Sequence, residues 1–99
     1  MTVRVRQSSG NVFSDLGFGD DEAENLKIRA DLMIELTKLI EAQELTQAAA
    51  AKLLGVTQPR VSDLMRGKID RFSVDSLIEM LGQAGACVSV LVTQRRQVA

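Results

Sequence analysis

The chain has no histidine, tyrosine or tryptophan, and only one cysteine and one proline in 99 residues. Without histidine there is no imidazole base or metal ligand, and no hydroxyl or thiol has an obvious partner to activate it. Catalysis is therefore not expected. The lone thiol, Cys87, can form neither an internal disulfide nor a zinc knuckle, and it reads as a small buried hydrophobe. Three aromatics, Phe13, Phe18 and Phe72, are too few to stack the bases of a single strand. The acids Asp20, Asp21, Glu22 and Glu24 lack the glycine-bearing loop of a calcium site, so helix-end electrostatics accounts for them better. No metal or cofactor is expected. There is no apolar run near 18 residues and no apolar region of a signal peptide, which reads as soluble and cytoplasmic.

The length suits one domain. A chain this short buries a modest core, and a second copy is one way to add buried area. Net charge is −1, which by itself does not suggest a polyanionic partner. The charge is unevenly spread, however. Residues 13–44 hold nine acids against three bases, whereas residues 45–99 hold seven bases against four acids. Opposite signs on two parts of one domain suggest two partners; acids that simply solvate a helix are the other reading.

Thr2, Val3, Arg4, Val5, Arg6 and Gln7 alternate polar and apolar, as a half-exposed strand does. Ser8, Ser9, Gly10 and Asn11 read as a turn or a mobile joint. Phe13, Leu16 and Phe18 are expected to pin the next segment to a core. Asp20, Asp21 and Glu22 open a helix over about residues 20–43, with Leu26, Leu32, Met33, Leu36, Leu39 and Ile40 as its apolar stripe. Thr46 caps a short alanine-rich helix that ends at Gly55, and Thr57 caps another, with Pro59 in its first turn. Gly67 stops it. Ser73 caps a fourth helix with Val74, Leu77, Ile78 and Leu81 inward. Residues 86–93 are β-branched and read as a strand. The chain divides into an arm over residues 1–19, a helical domain over 20–85, and a strand and tail over 86–99.

Residues 45–67, LTQAAAAKLLGVTQPRVSDLMRG, meet the local demands of two helices joined by a tight turn. Ala51 is the small residue at the crossing, and Gly55 tolerates the positive φ of the turn. Val61 and Leu64, with Met65 beside them, fasten the second helix. Gln47, Ala51, Gly55, Val61 and Leu64 stand at the spacing of the XRE (Cro/CI-type) helix-turn-helix family. The segment LTQAAAAKLLGVTQPRVSDLMRGKIDRFSVDSLIEML resembles the HigA-type antitoxins and their relatives. The resemblance covers roughly residues 26–81. It implies a mainly α, lambda repressor-like core of five helices, followed by a C-terminal strand. The N-terminal strand is not part of the basic module.

The resemblance makes residues 58–66 a recognition helix for the major groove. Gln58 can read adenine and Arg60 guanine. Asp63 either accepts from a cytosine amino group or pairs with Arg60 or Arg66. Pro59 either touches a thymine methyl or only starts the helix. Phosphate contacts are expected from Thr46, Gln47, Thr57, Ser62, Arg66, Lys68 and Arg71. For Lys68 and Arg71 plain solubility is the other reading. Val88, Val90 and Val92 share one face of the last strand. That strand could pair with Val3 and Val5, with its copy, or with both, and a homodimer reading a pseudo-palindromic operator is favoured. The resemblance implies a type II antitoxin that represses its own operon and neutralises a small basic toxin of the RelE/HigB type. A stand-alone repressor has the same DNA chemistry.

Overall fold

The computed structural model describes the backbone of residues 2–6 and all of residues 16–94. In chain order these form β1 (Thr2–Arg6), α1 (Asp20–Ala42), α2 (Gln47–Leu54), α3 (Gln58–Met65), a single 3-10 turn (Ile69–Arg71), α4 (Val74–Gln83) and β2 (Cys87–Leu91). The expected turn at Ser8 to Asn11, Val12, Phe13, and the tail arginines Arg95 and Arg96 lie outside the described residues.

Helix α1 starts where three carboxylates meet the positive end of the helix dipole. Its expected stripe is buried throughout, together with Ala23, whereas Ile34 on the opposite side is exposed. The helix stops at Ala42. Glu44 takes a left-handed φ of 52°, and the Leu45 N–H donates back to the Ile40 carbonyl at 3.1 Å, which reverses the chain. Thr46 then caps α2, its hydroxyl accepting from the Ala49 N–H at 3.1 Å. Ala50, Ala51 and Leu54 are the buried face of α2, and small side chains there let the next helices approach closely.

Helix α4 begins with a reciprocal pair. The Ser76 N–H donates to the Ser73 hydroxyl, and the Ser73 N–H donates to the Ser76 hydroxyl, both at 3.1 Å. Ser73→Ala is expected to lower stability by about 1 kcal/mol, measured by urea denaturation. An unchanged midpoint would show that the cap contributes nothing. Leu77, Met80 and Leu81 face inward, while Ile78, expected in that stripe, is partly exposed. The centre of the protein is a single cluster in which Leu32, Leu36, Leu54, Val61, Leu64, Leu77 and Leu81 are fully buried.

Several expectations are corrected. There are four α-helices among the described residues rather than five. The segment between α3 and α4 has no apolar repeat long enough for another helix and makes only the 3-10 turn. Leu16 and Phe18 are exposed rather than pinned to the core, because they precede α1 and stand outside its stripe. Cys87 is exposed rather than buried. Strand alternation explains this: Val88 packs against the core, so Cys87 and Ser89 point away.

β2 pairs in parallel with β1, Thr2 opposite Cys87 and Arg6 opposite Leu91, within the same chain. A parallel pair requires a long crossover, which the helices supply. Of the expected face of Val88, Val90 and Val92, only Val88 reaches the core. Val90 is 63% exposed and Val92, beyond the end of β2, is 84% exposed.

Candidate nucleic-acid interface

The turn between α2 and α3 depends on Gly55, whose φ is +69°. Its amide donates to the Ala51 carbonyl. A side chain there would be strained by the backbone and would touch Gln83 at 3.5 Å. Thr57 occupies the cap position of α3, but its hydroxyl makes no capping bond, contrary to expectation. Its carbonyl instead receives the Arg60 and Val61 N–H groups, at 3.1 and 3.3 Å. Pro59 has no N–H to offer, so the Gln58 N–H is the one left open at the start of α3, where an anion is favoured.

Val61 and Leu64 hold α3 to the core and are fully buried. At 100° per residue the opposite side carries Pro59, Ser62, Asp63 and Arg66, flanked by Gln58 and Arg60. Gln58, Pro59 and Arg66 are exposed, and Ser62 is half-buried. Met65 is partly exposed rather than tucked beside Leu64. Thr46 and Gln47 are exposed at the start of α2, where the Thr46 hydroxyl is already occupied by its capping bond.

The two acid–base candidates of α3 face the loop that follows it. Asp63, whose side chain is 18% exposed, pairs with Lys68 at 3.7 Å and Arg71 at 3.6 Å. The expected ion pair exists, but with these partners rather than Arg60 or Arg66. The backbone explains the choice. Gly67 turns the chain at φ +71°, and the Lys68 N–H donates to the Asp63 carbonyl at 3.1 Å, which brings the loop's bases beside the carboxylate. Arg60 is turned the same way. Its guanidinium carbon lies 4.3 Å from the centre of the Phe72 ring, and Nη1 donates to the Arg71 carbonyl at 2.6 Å.

Arg29 of α1 reaches the loop from behind, donating from Nη1 to the Ile69 and Phe72 carbonyls at 3.0 and 3.2 Å. Its Nε donates to the Asn25 side chain at 2.7 Å. Sequence reasoning gives Arg29 no role. The available signal was a base on an acidic helix, one turn after Asn25, but nothing local marks its partners forty residues away.

The family model described as a helix-turn-helix domain matches residues 12–93. A solved structure described as an XRE family transcriptional regulator superposes with a TM-score of 0.70 at 33% identity, covering 79% of this chain and 91% of that one. This chain belongs to the XRE family of helix-turn-helix proteins. Comparison with the curated proteins gives no match. In this XRE protein α2 and α3 are the two helices of the motif, and the exposed side of α3 is its outward face. Residues 46–71 carry five bases, Lys52, Arg60, Arg66, Lys68 and Arg71, against Asp63 and Asp70, so the motif is locally basic within an acidic chain.

Proposed function

We propose that the protein binds double-stranded DNA at a specific site and acts as a transcriptional repressor. The observation that carries this reading is the outward face of α3. Val61 and Leu64 anchor it from beneath, while Gln58, Pro59 and Arg66 are exposed at a locally basic surface. Gln58 at the start of α3 reads a base, an amide pairing with adenine. Gln47 and the open amides of α2 and α3, with Thr46, Thr57, Ser62, Arg66, Lys68 and Arg71, hold phosphates and fix the register. Selection from a pool of randomised duplexes should enrich a short site. Failure to enrich any sequence would overturn the reading.

Gln58→Ala should cost about 1–3 kcal/mol of binding and relax preference at one base position per half-site. Binding to a set of singly substituted duplexes measures this. A uniform loss would mean that Gln58 contacts no base.

The partner proposed for the exposed side of the β1–β2 sheet is a second copy. A two-stranded sheet is marginal alone, and Val90, Leu91 and Val92 are exposed around β2. A two-fold arrangement would set two α3 helices about 34 Å apart, matching a pseudo-palindrome.

The finer reading is an antitoxin that represses its own operon and neutralises a RelE/HigB-like toxin. What supports it is the acidic surface of α1, with Asp20, Asp21, Glu22 and Glu41 exposed and suited to a basic partner. Co-expression with a short neighbouring reading frame tests it. Growth arrest relieved by this protein, with the two proteins co-purifying, is the expected result. Arrest without relief would leave a stand-alone repressor.

A further inference from the structure

The loop over residues 67–73 is held from three sides. Arg29 donates to two of its carbonyls from α1. Asp63 draws in two of its bases from α3. Arg60 covers the ring of buried Phe72 and donates to the Arg71 carbonyl. A guanidinium reading guanine needs its fork free and pointing into the groove. The Arg60 fork is instead engaged with the loop on the flank of α3, and leaving would cost both the ring contact and the hydrogen bond at 2.6 Å. Its place on the helix agrees. Arg60 stands 100° from Val61 and only 40° from Leu64, on the side nearer the core, whereas Pro59 and Arg66 point outward.

We infer that Arg60 is a positioning residue rather than a base reader: it locks the loop of Lys68 and Arg71 against the recognition helix, so that α3 and the loop's bases approach DNA as one rigid unit. The DNA half of this inference rests on the proposed function. Arg29 supplies the matching lock from α1. Asp63 holds the two bases close without neutralising their outer faces, since Lys68 and Arg71 side chains are 37% and 57% exposed.

The test uses the full chain. In the free protein, the Arg60 guanidinium resonances should show the ring-current shift of a group over Phe72. Unshifted resonances would overturn the inference. Arg60→Ala should speed hydrogen exchange at the Ile69, Arg71 and Phe72 amides, which close the loop's own bonds, and at the Lys68 amide, which ties it to Asp63, with little change in α1. Unchanged exchange at those amides would also overturn it. These two measurements need no DNA and stand even if duplex selection enriches no site.

With a selected duplex, Arg60→Ala should weaken binding about tenfold and evenly across singly substituted sites, as loss of a positioning contact does. Arg60→Lys, which can still place a cation over the ring and donate one hydrogen bond, should recover most of that loss. Relaxed preference at one position, with no rescue by lysine, would make Arg60 a base reader. So would a shift of its guanidinium signals off the Phe72 ring when the duplex is added.

Discussion

Leu36→Ala is expected to destabilise the protein by about 2–5 kcal/mol, the largest effect of any single truncation proposed for this chain. Leu36 is completely buried at the middle of the α1 stripe, in the same cluster as Leu32, Leu77 and Leu81. Shortening it removes apolar contacts and leaves a cavity that stiff helices on several sides close only in part. Domains of this size are stable by roughly 5–15 kcal/mol, so the loss is a large fraction of the total. The melting temperature should fall by roughly 10 °C or more. Ile34 is the internal control. It lies two residues away on the same helix but is 51% exposed, and Ile34→Ala should change stability by about 0.5 kcal/mol or less. Equal effects at the two positions, measured by urea denaturation, would mean that α1 does not pack as described.

The second large effect is on binding. Affinity for a selected duplex should fall about a thousandfold to a hundred-thousandfold between 50 and 200 mM salt, the range for six to ten phosphate contacts. The whole chain cannot produce this, because its net charge is −1. The source is local: Arg66, Lys68, Arg71 and Lys52, together with the amide-bearing helix starts. Lys68→Ala with Arg71→Ala should flatten the plot of log affinity against log salt by about one unit for each phosphate contact removed. It should not change which bases are preferred. A parent plot that is already flat would mean that this surface does not meet phosphates.

The helical core was readable because its signals are local and agree with one another. Thr46 and Ser73 each cap a helix within three residues, Gly55 takes the conformation only glycine adopts cheaply, and the α1 stripe repeats over about four turns. What was missed depends on contacts between distant parts of the chain. No sequence pattern says that Arg29 reaches carbonyls near Phe72, or that Asp63 prefers Lys68 and Arg71 to its neighbours on α3. Arg60 shows the same limit. Its residue type fits guanine and its place in the recognition helix fits a reader, but the buried ring that holds it lies outside the motif. Cys87 fails for a different reason. Its strand alternates in the expected phase, with Val88 inward, but the general tendency of a lone thiol to be buried does not override the side of the strand on which it stands.

The parallel pairing of β1 with β2 also bears on how the chain assembles. The packing of α2 on α3 joins segments close together along the chain and can form early, whereas β1 must meet a strand that follows all four helices. β1 therefore has no partner until β2 has also been made, at about 5–20 residues per second. Closure of the sheet is the step that covers one edge of β2.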